Sequence, residues 1–285
     1  MAKPYNEIYI TARTAWRDAE IEGYSLEARL IVSLAAGKST EELTRDLSLY
    51  AKDGLDATVQ DMVRRRIQGE PVAYITGGWE FYGVPLDITP DVLIPRNDTE
   101  VLVRAAIELF AGRNGRPRIL YLCAGSGCIG CALAVHMPGA RVVMVDNSPG
   151  ALSLCRRNAE KNKLELRAMC IEADVTDKPP MLLGKFDLIT CNAPYIPTAE
   201  IATLDASVRD YEPMAALDGG KDGLDIIRPV IKYWKSCLKD NGFIMLEIGE
   251  GQAPAVMELL QQAGFRRTGA LRDTAGTERV IVGQL

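Results

Sequence analysis

The stretch Arg118-Ile119-Leu120-Tyr121-Leu122-Cys123-Ala124-Gly125-Ser126-Gly127-Cys128-Ile129-Gly130 decides the fold. Arg118–Cys123 is an apolar run of strand length, and Ile129–His136 continues as an apolar helical segment. Between them Gly125, Gly127 and Gly130 satisfy G-x-G-x-x-G. Glycine lets the backbone turn tightly and approach a ligand, and the helix N-terminus behind it offers free N–H groups. The next strand, Arg141–Asp146, ends on an acid about twenty residues further on, where a carboxylate can accept hydrogen bonds from a ribose diol. The fingerprint suits a nicotinamide or flavin dinucleotide. It suits equally the adenosine half of S-adenosylmethionine, in which case the loop faces the methionine part.

Downstream the alternation continues. Strands are expected at Ala168–Glu172, Phe186–Cys191, Gly242–Ile248 and Arg279–Val282, with helices at Asp98–Phe110, Gly150–Lys161, Asp225–Leu238 and Ala253–Ala263. Such an order predicts a doubly wound α/β sheet. Upstream the character changes. Tyr5–Ala19, Leu26–Ala36, Thr40–Tyr50 and Leu55–Gln68 carry apolar residues at helical spacing, which predicts a small helical bundle. Ser25 and Ser39 or Thr40 are N-cap candidates, and Ser39 with Glu42 resembles a capping box. Trp79–Phe81 and Val84–Ile88 flank a Tyr82-Gly83 turn and predict a hairpin, with Pro85 confining its strand to an edge. The expected organisation is therefore a helical domain over 1–76, a hairpin linker over 77–89 and an α/β domain over 90–285. Ile196–Gly223 has no regular period and is long for a connection, which suggests a functional lid.

Composition narrows the function classes. With 285 residues, 47% of them hydrophobic and 25% charged, the chain reads as an ordinary globular protein. No apolar run is long enough for a membrane span and MAKPYNEIYI has no signal-peptide core, so the expected location is the cytoplasm. A net charge of −5 argues against a broad phosphate-binding surface, and no stable nucleic-acid binding is expected. The run Arg64-Arg65-Arg66 reads as a solvated helix face. Seven cysteines, an odd number in apolar surroundings, read as reduced buried thiols, including the Cys128/Cys131 pair. One histidine, His136, leaves no material for a zinc site or a Ser-His-Asp triad, so no metal is expected.

Chemistry is expected beyond the fourth strand, where Phe186–Cys191 runs into Asn192-Ala193-Pro194-Tyr195 at the carboxyl edge of the sheet. An amide or exocyclic amine nitrogen is a poor nucleophile because its lone pair is delocalised. Acceptors that fix its N–H bonds can aim that lone pair. The Asn192 side-chain oxygen and a backbone carbonyl beside Pro194 can supply them, and Tyr195 can stack on a planar group. Asparagine, proline and tyrosine are also common in a plain strand-ending turn.

Asn192–Tyr195 resembles the N-P-P-Y signature of methyltransferases that act on planar nitrogens. The remaining motifs are similar to those of the release factor glutamine methyltransferase family (HemK/PrmC type). They are Gly69–Gly77 (GEPVAYITG), Phe81–Gly83 (FYG), Leu93–Glu100 (LIPRNDTE), Tyr211–Pro213 (YEP), Asp218–Leu224 (DGGKDGL), Leu246–Gly249 (LEIG) and Arg272–Gly276 (RDTAG), in the family's order. The resemblance implies a Rossmann-like class I S-adenosylmethionine-dependent domain behind a substrate-recognising helical bundle. It implies methyl transfer to the side-chain nitrogen of a glutamine in a peptide chain release factor. Cys123, Ala124, Gly125, Ser126, Gly127, Asp146, Asp174, Val175 and Asn192 would contact the cofactor. Asn192, Ala193, Pro194 and Tyr195 would hold the amide, with Asn192, Pro194 and Tyr195 catalytic. The chain departs from the family pattern at Tyr121 and Cys123, where an acid and a glycine are usual, and at Asn97 and Ala193, where prolines are usual. Rival readings are an adenine-N6 nucleic-acid methyltransferase, a nicotinamide-dependent oxidoreductase and an impaired cofactor-binding homologue.

Overall fold

A computed structural model describes residues 2–113 and 115–285. It divides the chain into two compact units. One runs to Gly77 and includes Ala206–Tyr211; the other comprises Gly78–Asp205 and Glu212–Leu285.

The first unit contains helices α1 (Tyr5–Asp18), α2 (Tyr24–Ala36), α3 (Thr40–Arg45), α4 (Leu55–Ile67) and α5 (Val72–Thr76). Ile8, Ala12 and Trp16 share one face of α1 and are buried, and the Trp16 indole donates to the Val63 carbonyl at 3.2 Å. The capping box forms: Ser39 and Glu42 exchange side-chain and backbone bonds at the start of α3. Two expectations fail here. α2 starts after Gly23, not Ser25, whose hydroxyl instead meets Tyr9. α3 stops at Arg45, because the Leu47 and Leu49 carbonyls turn to accept the first N–H groups of α1, which has no side-chain cap. The arginine run is fully ion-paired: Arg64 with Asp61, Arg65 with Glu70 and Arg66 with Glu27.

In the second unit β1 (Gly78–Phe81) and β2 (Val84–Asp87) form the hairpin. Tyr82 and Gly83 both take left-handed φ, 51° and 72°, which matches the twist of paired strands. The hairpin is bonded into this unit. Buried Asn158 exchanges two bonds with the Asp87 backbone and donates to the Ser126 carbonyl of the glycine loop. His136 bonds the Tyr82 carbonyl at 2.9 Å, so its role is structural.

The main sheet contains β3 (Arg118–Leu122), β4 (Arg141–Asp146), β5 (Ala168–Glu172), β6 (Phe186–Cys191), β7 (Leu238–Glu247), β8 (Arg267–Arg272) and β9 (Glu278–Gln284), in the order β5-β4-β3-β6-β7-β9-β8. The first five are parallel, and β9 is antiparallel to both its neighbours. From β3 the chain winds outward through β4 and β5, then returns to the other side through β6. The crevice beyond the carboxyl ends of β3, β4 and β6 is thus the switch point where ligands bind in such sheets. Helix α6 (Glu100–Phe110) leads into β3, and α7 (Cys128–His136) and α8 (Pro149–Lys161) connect β3 to β4 and β4 to β5; the short α9 (Ala206–Arg209) belongs to the first unit, and α10 (Ile227–Pro229) and α11 (Ala253–Gln262) follow in the second. The helix expected over Asp225–Leu238 is broken. α10 passes into a π-helical turn at Val230–Trp234 and a 3-10 turn at Lys235–Cys237. Pro229 removes one N–H from the ladder, and the buried Trp234 indole is pinned to the Val175 and Asp177 carbonyls at 3.0 and 3.1 Å. Among the described residues no helix is long and apolar enough to cross a membrane.

Candidate active site

The glycine loop is tied to the second strand by its backbone. Ala124 N–H donates to the Val145 carbonyl, and Gly125 N–H donates to Asp146 Oδ2 at 2.8 Å. The other Asp146 oxygen accepts from Ser148 N–H at 2.9 Å. Each carboxylate oxygen has a second lone-pair direction, so the acid keeps capacity for a diol. The three glycines do different work. A side chain at Gly127 would strike the Cys155 sulfur, and one at Gly130 would strike Met144, so both permit close helix–strand packing. Gly125, with φ 53°, has open space where a Cβ would stand, so the loop presents bare backbone there. The Asp146 carboxylate suits a ribose diol, and the bare backbone of the loop suits the methionine part of S-adenosylmethionine.

Asp174 follows β5. Its carboxylate accepts from the Thr176 hydroxyl and N–H and from Asn147, and the Thr176 hydroxyl is the chief cause of its lowered pKa. Val175 is buried and held through its carbonyl by Trp234.

Two departures shape the loop. Tyr121 is buried, with its ring edge 3.4 Å from where a Gly130 Cβ would stand, so it fills space behind the loop. Cys123 adopts φ 54°, the left-handed region that a glycine enters without strain. Its thiol meets the Cys191 thiol at 3.8 Å, and this pairing of the neutral S–H, then burial, raises its pKa. Cys128 and Cys131 lie buried on α7, where burial pushes Cys128 up to about 11. Neither behaves as a reactive thiolate.

Asn192–Tyr195 leaves the carboxyl end of β6 as extended backbone, and the glycines of Asp218–Leu224 pack around it. A Cβ on Gly219 would stand 2.8 Å from the Pro194 carbonyl oxygen, and one on Gly223 would strike the Tyr195 carbonyl. Gln252 accepts from Gly249 N–H and donates to the Tyr195 carbonyl, both at 2.8 Å. Asn192 Nδ2 donates to Thr99 Oγ1 at 3.4 Å, which leaves Oδ1 as the side-chain acceptor. Behind the segment lies Glu247, 2% exposed, whose Oε1 accepts from the Tyr195 hydroxyl at 3.5 Å. Burial pushes the Glu247 carboxyl up to about 7 and, with Glu247 itself, raises the Tyr195 phenol. Arg279, held by Asp273 at 3.1 Å and Asp98 at 3.5 Å, lends it positive charge. On the same unit, Glu212 is buried, accepts from Ile94 N–H and pairs with Arg96, which joins the YEP and LIPR stretches.

The fold therefore brings the loop after β3, Asp146 after β4, Asp174 after β5 and Asn192 after β6 to one edge of one sheet. Thr99, Glu247 and Gln252 had no role from sequence. They lay within or beside quoted motifs, but only the folded chain sets them against Asn192 and Tyr195.

The geometry can be compared with known proteins. The family described as Methyltransferase small domain matches residues 99–207, and that described as PrmC N-terminal domain matches residues 7–77. The release factor glutamine methyltransferase of Geobacter sulfurreducens is 38% identical over 93% of this chain and 91% of its own length. The chain belongs to the release factor glutamine methyltransferase family. The Caulobacter vibrioides member is 35% identical over 96% of this chain and 94% of its own. The chain is an S-adenosylmethionine-dependent methyltransferase, which resolves the cofactor ambiguity of the glycine fingerprint against the dinucleotides. Among solved structures, the hMettl16 catalytic domain in complex with a MAT2A 3′UTR hairpin aligns with TM-score 0.58 over 81% of this chain and 82% of that one. At 15% identity this likeness bears on the fold alone.

Proposed function

We propose that the protein methylates the side-chain amide nitrogen of a glutamine in a peptide chain release factor, acting in the cytoplasm. The observation that carries this reading is the Asn192 amide. Its nitrogen is turned to Thr99, which frees its oxygen for a second amide. Asn192 Oδ1 and the Ala193 carbonyl accept the two N–H bonds of the glutamine side chain. The nitrogen lone pair is thereby held out of the plane of those bonds, toward the methyl donor. Tyr195 stacks on the planar amide, and Pro194 keeps Ala193 extended. S-adenosylmethionine supplies a methyl group on a positively charged sulfur. Cys123–Gly127 would offer backbone to its methionine part, Asp146 would take the ribose hydroxyls, and Asp174 and Val175 would complete the cofactor contacts. As the nitrogen bonds the methyl carbon the methyl–sulfur bond would break, and the nitrogen would release one proton to solvent; the gain is orientation and electrostatic preorganisation, without a general base.

The helical unit is read as the part that recognises the release factor. Its Arg64–Arg66 run is ion-paired and the chain's net charge is −5, which favours a protein substrate over nucleic acid. The test is incubation of a purified release factor with the protein and S-adenosylmethionine, followed by peptide mass spectrometry. A single added methyl on one glutamine is expected. Methylation of adenine in a nucleic acid, with the release factor left unmodified, would overturn the reading.

A further inference from the structure

Glu247 ends β7, 2% exposed, with Oε2 lacking any hydrogen-bond partner among the described residues. A buried carboxyl with an unpaired oxygen is destabilising, and a hydrophobic residue would avoid that. Its surroundings show what it can do. The Tyr195 hydroxyl donates to Oε1, and the buried Thr99 hydroxyl faces the same carboxyl. Thr99 Oγ1 in turn accepts from Asn192 Nδ2.

We propose that Glu247 is a positioning residue for methyl transfer, acting through Thr99 to set which way the Asn192 amide faces and directly on the Tyr195 hydroxyl. The proposal rests on the assignment of Asn192 as an amide acceptor. The two ends of an asparagine side chain have almost the same shape, so only their partners choose which end faces where. An ionised carboxylate only accepts. In that state the Thr99 and Tyr195 hydroxyls can both donate to Glu247, and the Thr99 oxygen then has only lone pairs left to offer. Only the N–H side of Asn192 can bond to it, and Oδ1 is left for the substrate. Once the carboxyl is protonated, Thr99 is free to turn and donate to Oδ1, and the preference is lost. The contacts of 3.4 and 3.5 Å are long, so the negative charge, more than close neutral bonding, holds the arrangement.

The groups facing the carboxyl are Thr99, Tyr195, Arg279 and Asp98, with the Cys128 thiol of α7 also within its field. Burial and Asp98 favour the protonated form; Thr99, Arg279 and Tyr195 favour the ionised one. The balance at about 7 places the switch near neutrality.

The test compares wild type with Glu247→Gln, Thr99→Val and Thr99→Ser. Turnover of a release factor is measured at saturating S-adenosylmethionine across neutral pH. Wild-type kcat should rise through about pH 7, where the carboxyl ionises. Glu247→Gln and Thr99→Val should each lower kcat by a factor of ~10², with flat pH profiles and little change in KM or calorimetric cofactor affinity. Together they should be no worse than either alone, because they break one relay. Thr99→Ser should restore activity. A second readout needs no substrate: the NMR signals of the Asn192 side-chain amide should titrate near pH 7 in wild type and not in the Gln or Val variants. If wild type methylates no release factor, the functional reading fails and the NMR titration still decides the positioning. If Glu247→Gln does not fold, the two Thr99 variants carry the kinetics. Wild-type kcat in Thr99→Val, additive losses, or an Asn192 titration that persists in the variants would overturn the proposal.

Discussion

Replacing Glu247 by glutamine should change how the stability of the second unit depends on pH. Burial raises this carboxyl from an ordinary 4.5 to about 7 in the folded chain. Between those values the unfolded chain has lost the proton while the folded chain still holds it. Proton binding therefore favours the folded state at low pH, and stability falls as pH rises through that window, then levels off. The gap between 4.5 and about 7 is about 2.5. At ~1.4 kcal/mol for each unit, this corresponds to roughly 3 kcal/mol lost on going from acid to neutral pH. Glutamine has the same shape and no proton to lose, so the variant should show no such fall from this site. Native-state hydrogen exchange at β6 and β7 amides reads the opening of this unit, and subtracting variant from wild type removes other groups, Glu212 and Asp174 among them. The difference should grow by about 3 kcal/mol across the window. A difference that stayed flat within a few tenths of a kcal/mol would show that the carboxyl is not desolvated, and the burial argument would fail.

Asp146→Ala should weaken S-adenosylmethionine binding by roughly tenfold to a hundredfold, since a charged hydrogen bond contributes ~1.5–3 kcal/mol; an unchanged calorimetric affinity would reject the ribose assignment. Asn192→Ala should lower turnover by a factor of ~10²–10³ at saturating cofactor, whereas Ala193→Pro should keep it, because only the Ala193 carbonyl is used. Near-normal turnover in Asn192→Ala would exclude the amide-holding role. A chain beginning at Gly78 should bind cofactor yet fail to methylate an intact release factor; full activity on that factor would deny the helices a recognition role. Cys123→Gly should stabilise the protein modestly, as relief of ~1–2 kcal/mol of left-handed strain outweighs ~0.4–1 kcal/mol of added unfolded-chain entropy. A lower melting temperature would mean that the contact with Cys191 is worth more than the strain.

The parallel strands β3, β4 and β6 were legible because strands buried on both faces read as unbroken apolar runs between turn signals. The glycine loop and Asp146 were legible because their spacing is local. The strand β8 was missed: Arg267-Thr268-Gly269-Ala270-Leu271-Arg272 has no apolar alternation, and its residues are half-buried or exposed at the sheet edge. The break in the Asp225–Leu238 helix was hidden because its cause is partly tertiary, the Trp234 indole reaching two carbonyls more than fifty residues away. Glu247 illustrates the same limit at the site. An acid closing an apolar strand reads as an ordinary strand end, and Thr99 and Tyr195, which give it a role, come from distant segments.

The departures from the family pattern bear on this division. Tyr121 and Cys123 sit at the end of β3, behind and within the cofactor loop, and Cys123 meets Cys191, the residue before Asn192, at 3.8 Å. Tyr121 is packed against Gly130 and carries no charge where an acid is usual, so the electrostatic hold on the cofactor falls more heavily on Asp146. Ala193 lies on the acceptor side, but what that side asks of residue 193 is a carbonyl in an extended chain. Pro194 enforces the extension, and Gly219, Gly223 and Gln252 fix the segment that follows. On the proposed assignment, Tyr121 and Cys123 bear on how firmly the methyl donor is held, and Ala193 still offers the acceptor side its carbonyl.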